Sequence, residues 1–160
     1  RRARGFGLSI HYHNRKPVHR DSEAELEATY WESLEQMLAR VDIVSVNCPH
    51  TEQTSNLLSA DRLALMQPSA YLVNTSRGPI VSETALLESL QSGQIAGAAL
   101  DVFDVEPLPN PHPLRDLDNV VLTGHTGYVV AELYEKVYPQ VVENIIAWKN
   151  NTPLRVLNGN

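Results

Sequence analysis

Ala70-Tyr71-Leu72-Val73-Asn74, then Ser82-Glu83-Thr84-Ala85-Leu86-Leu87-Glu88-Ser89-Leu90, then Ile95-Ala96-Gly97-Ala98-Ala99-Leu100-Asp101-Val102 read in order as a strand, a helix and a second strand. Ser82 is an N-cap, because its hydroxyl satisfies a backbone N–H that the first turn leaves unpaired. Ala85, Leu86 and Leu90 recur at helical spacing and face inward, and Gly93 is the stop. Working upstream, Asp42 to Asn47 is a further apolar strand. Ser59 to Met66 is a helix that ends before Pro68, since the residue preceding a proline is pushed out of the helical region. Ser33 opens another helix with Gln36 as its capping-box partner and Leu34, Met37, Leu38 and Val41 as its apolar face. Leu8 to His13 alternates like a strand, Glu23 to Glu27 is a short helix, and Ala28 to Trp31 a short strand.

Downstream, Asn119 to Thr123 is a strand, and Glu106 to Pro113 is an extended loop dense in proline. From Val129 to Trp148, Val130, Leu133, Val137, Val141, Ile145 and Trp148 recur every three or four positions, the mark of one long amphipathic helix. Asn151 to Asn158 is a linker with room for a short strand. Strands alternating with helices predict an α/β fold built on a parallel sheet covered on both faces. The continuous apolar runs at 43–46 and 120–122 fit burial on both sides.

The chain has 160 residues, within the size of one domain, with 13 basic and 19 acidic side chains and a net charge of −6. A mildly acidic chain is not expected to bind nucleic acid or an anionic membrane. Its single cysteine, Cys48, excludes an internal disulfide and a cysteine-based zinc site, which fits a cytoplasmic protein. No run approaches the roughly 18 apolar residues of a membrane span. The opening Arg1-Arg2-Ala3-Arg4-Gly5-Phe6-Gly7 reads as the end of a helix running into glycine, so the chain is expected to be a piece of something longer.

Three residues sit just past separate strands: Arg77, Glu106 and His125. In an open α/β sheet, ligands bind outside the carboxyl ends of the strands. A guanidinium pairs bidentately with a carboxylate. An imidazole titrates near neutrality and can give or take a proton, and a carboxylate bonded to it fixes its tautomer. Counting acids alone leaves Asp104 and Glu106 equivalent.

Several ordered motifs decide more. They are Val46-Asn47-Cys48-Pro49-His50-Thr51, Asn74-Thr75-Ser76-Arg77-Gly78, Ala99-Leu100-Asp101-Val102-Phe103-Asp104-Val105-Glu106-Pro107, His112-Pro113-Leu114 and Leu122-Thr123-Gly124-His125-Thr126-Gly127. Over nearly its whole length the chain resembles the cofactor-binding domain of the D-isomer-specific 2-hydroxyacid dehydrogenases, which include glyoxylate/hydroxypyruvate reductases. The resemblance implies a Rossmann-like doubly wound parallel sheet. It implies an oxidoreductase moving a hydride between NAD(P)H and a small 2-oxo acid or 2-hydroxy acid. Arg77 then binds the substrate carboxylate, His125 is the general acid/base, and Glu106, rather than Asp104, orients His125. Cys48 and Pro49 would line the adenine side, and Thr75, Ser76, Asp101 and Gly127 the rest of the cofactor site.

The end of the second strand in such a fold meets the adenosine ribose, where an acid favours NAD and a cation favours NADP. Here Asn14-Arg15-Lys16 offers an amide and two cations, so NADP(H) is favoured and NAD(H) remains possible. Cys48 reads as inert packing, and His50 and His112 as loop residues. Tyr128 is placed at the substrate mouth, with Tyr134 and Tyr138 between helix and sheet.

The chain departs from the family pattern in three ways. The glycine-rich phosphate motif and the strand before it are expected upstream of Arg1, leaving a sheet in two halves with unpaired inner edges. Residues 1–150 form the dinucleotide-binding domain, incomplete at its N-terminus, and 151–160 a linker returning to a missing substrate domain. Gly124 stands where the family has proline, so His125 is expected to be held less rigidly. The family also implies a homodimer. Against the enzyme stands the alternative of an inactive fragment or a dinucleotide-binding, non-catalytic relative.

Overall fold

The computed structural model describes residues 1–158, which fall into two compact units, the first Arg1–Gly124 and the second beginning at His125. The first unit holds two separate parallel sheets. β1 (His11–Tyr12) pairs with β2 (Thr29–Tyr30), while β3 (Ile43–Val46), β4 (Tyr71–Asn74), β5 (Gly97–Leu100) and β6 (Val120–Leu122) lie side by side in that order. The division into two sheets is the one expected of a sheet in two halves. Helix α1 (Arg2–Gly5) precedes β1, and helices α2 (Arg20–Leu26), α3 (Leu34–Leu38), α4 (Ala60–Leu63) and α5 (Glu83–Gln91) connect successive strands from β1 to β5.

Local chemistry explains where the helices begin and end. Ser33 Oγ accepts from Gln36 N at 3.2 Å, and Ser82 Oγ accepts from Ala85 N at 3.5 Å. Gly93, at φ 72°, takes the left-handed turn after α5 that a side chain would strain. The helix expected over 59–66 is shorter, yet Leu63 and Met66 are both buried.

Register then builds the core. Val46, Asn74, Leu100 and Leu122 stand in one row across the four strands. Val44, Val46, Leu72, Ala98 and Leu100 point to the side covered by Leu34 and Leu38 of α3, Leu63 of α4, and Ala85, Leu86 and Leu90 of α5. Burying a leucine in this way contributes about 1.5–3 kcal/mol. The opposite face differs from the sequence reading. Ile43 and Val121, expected to be buried on both sides, are 51% and 65% exposed. They lie on the two edge strands, and α3, α4 and α5 all pack on the other face.

The proline-rich segment is extended but fastened. Arg115 Nε donates to the Pro109 carbonyl at 3.0 Å and Nη2 to that of Leu108 at 2.9 Å. His112 Nδ1 accepts from Leu114 N at 3.3 Å, and its Nε2 lies 3.2 Å from Glu83 Oε1.

In the second unit, α6 (Ala131–Lys149) is the long helix that the periodicity predicts. Along its apolar stripe, Val137, Val141, Ile145 and Trp148 are all exposed. The helix follows from local pattern, whereas burial needs a partner surface. Tyr134 and Tyr138 stack on each other, ring centroids 5.4 Å apart, as residues four apart on a helix can. Residues 151–158 form no strand. No helix among the described residues is long and apolar enough to cross a membrane.

Candidate active site

Four loops of interest leave the four-stranded sheet from its carboxyl edge. Asn47 and Cys48 follow β3, Thr75 to Arg77 follow β4, Asp101 follows β5, and Thr123 follows β6. A cavity of about 550 Å³ opens there, lined by Asn47, Cys48, Pro49, His50, Ser76 and Arg77. Ser76 Oγ donates to the Cys48 carbonyl and so ties the two loops that form it. Arg77 is exposed, with Nη1 donating to the Ser76 carbonyl at 2.6 Å.

Burial pushes the Cys48 thiol above its ordinary value, which keeps it protonated and unreactive at neutral pH. Asp101 is buried, and Thr123 Oγ donates to its Oδ1 at 2.5 Å. Glu106 Oε1 accepts from Phe103 N at 3.0 Å, so the loop's own backbone fixes that carboxylate. Asp104 differs: partial burial and nearby Glu83 push its carboxyl up, while His50 pulls the other way.

The loops carrying Arg77 and Glu106 touch through backbone. A Cβ built on Gly78 would lie 2.1 Å from Phe103 C and 2.5 Å from Asp104 N, so only glycine allows this approach.

On the smaller sheet, Asn14 and Arg15 follow β1 and are exposed, as is Lys16. Asn14 Oδ1 accepts from Arg15 N at 2.8 Å, and Tyr30 Oη donates to the Asn14 carbonyl at 3.1 Å. The loop presents two cations and no acid.

His125 and Gly127 belong to the second unit. His125 has φ 57°, a left-handed conformation that costs a non-glycine residue on the order of 1–3 kcal/mol. Its ring meets Tyr128 edge-on, centroids 6.1 Å apart.

The structure thus gathers Cys48, Pro49, Ser76 and Arg77 around one cavity. Thr75 and Asp101 share its sheet edge, and Glu106 reaches the Arg77 loop through Phe103. Sequence reasoning missed Asn47 and His50 in the cavity wall, Thr123 as the partner of Asp101, and Asn74 as a clamp on the Arg77 loop. Only Asn74 carried a local signal, being an Asn placed to cap a turn. Among the described residues no group of three His, Cys, Asp or Glu is arranged to hold a metal.

Comparison with known proteins bears on the family and the fold. Residues 1–127 match the family profile of the D-isomer specific 2-hydroxyacid dehydrogenase, NAD binding domain. The chain is 43% identical over 150 residues to a glyoxylate reductase of Korarchaeum cryptofilum, covering 93% of this chain and 44% of that one. Among solved structures it resembles the apo form of Rhodotorula graminis D-mandelate dehydrogenase, with TM-score 0.83, 33% identity, and coverage of 99% and 46%. It also resembles a D-isomer specific 2-hydroxyacid dehydrogenase from Xanthobacter autotrophicus Py2 in complex with NADPH and MES, with TM-score 0.74, 38% identity, and coverage of 95% and 60%. The chain spans less than half the length of the glyoxylate reductase it matches.

Proposed function

The chain belongs to the D-isomer specific 2-hydroxyacid dehydrogenase family through its NAD-binding domain, and from that premise we propose that it is the dinucleotide-binding part of a reductase acting on a small 2-oxo acid. The observation that carries this reading is the cavity at the carboxyl ends of β3 and β4, with Arg77 in its wall. An open site at parallel strand ends, with a buried carboxylate and two exposed cations near other strand ends, fits a dinucleotide and an anionic substrate.

When bound, the reduced nicotinamide supplies the hydride. Arg77 holds the substrate carboxylate through a forked pair of hydrogen bonds. His125 would give a proton to the substrate's carbonyl oxygen in reduction and take it back in the reverse direction. Such proton transfer typically contributes 10²- to 10⁴-fold in rate. Glu106 orients His125 and favours its protonated form. Cys48 and Pro49 pack on the adenine side. Thr75, Ser76, Asp101 and Gly127 complete the cofactor site.

Arg15 and Asn14 stand where the ribose is read, and Arg15 with Lys16 favours NADP(H) over NAD(H). The longer protein works in the cytoplasm as a homodimer.

The deciding assay is turnover of glyoxylate, hydroxypyruvate and pyruvate by the full-length protein with NADPH. Activity on at least one, lost on His125→Ala, supports the proposal, and no turnover of any of the three sinks it. Arg15→Ala should weaken NADPH binding and leave NADH binding unchanged, and equal weakening of both would remove the NADP preference. Sedimentation of the full-length protein as a monomer would remove the dimer.

A further inference from the structure

We propose that Asn74 is a positioning residue for Arg77, setting the guanidinium before any substrate arrives. The inference rests on the reading of Arg77 as the carboxylate anchor. Asn74 is the last residue of β4 and only 1% exposed. It stands in a row with Val46, Leu100 and Leu122, where an aliphatic side chain would suit the core better. A buried amide is tolerated only when its polar atoms are paired.

Both ends of this amide serve the next three residues. Its Oδ1 accepts from Ser76 N at 3.0 Å, and its Nδ2 donates to the Arg77 carbonyl at 3.0 Å. The backbone of the Arg77 loop is therefore closed from inside the core. From the other side, Ser76 Oγ holds the loop to Cys48, and the Ser76 carbonyl receives Arg77 Nη1. A leucine at this position would fill similar space but leave the Ser76 N–H and the Arg77 carbonyl without these partners.

The clamp also extends beyond its own loop. Gly78 follows Arg77 directly and lies against the Phe103 backbone. Phe103 N in turn holds Glu106 Oε1. A change at Asn74 therefore shifts the anion anchor first and the Glu106 carboxylate second. Asp101 N donates to the Asn74 carbonyl at 3.0 Å, and Ser76 and Cys48 line the proposed cofactor site, but the loop after β1 lies outside this chain of contacts, so cofactor affinity should fall less than the use of glyoxylate.

The experiment uses the full-length protein with NADPH and glyoxylate, comparing Arg77→Ala, Asn74→Ala, Asn74→Asp and the double variant N74A/R77A. Asn74→Asp keeps an acceptor for Ser76 N but puts a carboxylate oxygen against the Arg77 carbonyl. Misplacing a reacting or binding group by about 1 Å can cost on the order of 10²-fold. Both single Asn74 variants should lose activity on that scale in kcat/KM, chiefly through KM for glyoxylate, with a much smaller loss of NADPH affinity by fluorescence titration. The double variant should be no worse than Arg77→Ala. Multiplying losses in the double variant, a fall in NADPH affinity that tracks the loss in kcat/KM, or wild-type kinetics in Asn74→Asp would overturn the proposal. If Asn74→Ala lacks a native circular dichroism spectrum, the near-isosteric Asn74→Asp decides alone. Wild-type activity in Arg77→Ala would instead overturn the anchor reading beneath it.

Discussion

The two sheets of the first unit are held together by different physics. The β3–β6 sheet rests on a continuous apolar layer in which Leu38, Leu63, Leu72 and Leu86 are at most 2% exposed. The β1–β2 pair has no such layer, and neither α1 nor α2 buries a residue. Polar contacts hold it instead. Tyr12 Oη donates to Glu23 and accepts from Val18 N at 2.9 Å. Trp31 Nε1 donates to His11 Nδ1 at 3.1 Å. Arg1 and Arg4 reach Glu25 and Glu27, each at 2.7 Å. Apolar burial is non-directional and scales with area, while exposed ion pairs are weak and screened by salt. The larger sheet therefore carries the stability, and the smaller one is a polar platform for the Asn14-Arg15-Lys16 loop.

The greatest test of that contrast is Leu72→Ala at the centre of the large sheet. Removing a fully buried leucine should cost about 2–5 kcal/mol, read as a lower denaturation midpoint. An effect much smaller than this would mean that the apolar layer does not hold the sheet. Gly78→Ala comes next, because its Cβ would lie 2.1 Å from the Phe103 backbone. Overpacking of this kind costs about 1–3 kcal/mol, and it should also displace the Glu106 loop, seen as faster amide exchange at Phe103.

Tyr12→Phe is a smaller and more local perturbation. It should speed amide exchange at Val18 and leave the global midpoint alone; a shift of the whole unfolding curve would join the two sheets into one cooperative unit. The smallest effect concerns Glu35, whose carboxyl is lowered from 4.5 to about 2 by its own backbone N–H, Arg62 and Ser33. Since the folded value lies below the unfolded one, its contribution is present above pH 4.5 and fades as the pH falls towards about 2. Glu35→Gln should flatten that part of the stability profile, which chemical denaturation at a series of pH values would measure.

Much of the fold was legible in sequence because its signals are local. Ser82 and Gly93 mark α5 whatever surrounds it, and the order of strands and helices leads to a parallel sheet. Face coverage was not legible. Val121 reads as buried from its apolar neighbours, but burial depends on what packs above the sheet, which a strand pattern does not encode.

At the site, Arg77 and Glu106 stood out through ordered motifs, while the bond from Phe103 N to Glu106 Oε1 did not. The clamp at Asn74 and the Thr123–Asp101 bond stayed hidden. Each joins a side chain to a loop whose path is set only once the strands are in register. The left-handed backbone of His125 was also invisible, since nothing in Gly124-His125-Thr126 demands it.

The fastening of the proline-rich loop has a consequence for cleavage. A protease must draw its target into an extended, accessible strand, and surface loops are where nicks concentrate. Residues 106–113 lie in a surface loop, yet the nearby Arg115 has its guanidinium turned onto the carbonyls of Leu108 and Pro109. Arg15, on an exposed loop with its side chain outward, has no such engagement among the described contacts. Limited trypsin digestion should therefore cut first at Arg15 and spare Arg115, releasing a large fragment that retains the β3–β6 sheet and the cavity at its edge.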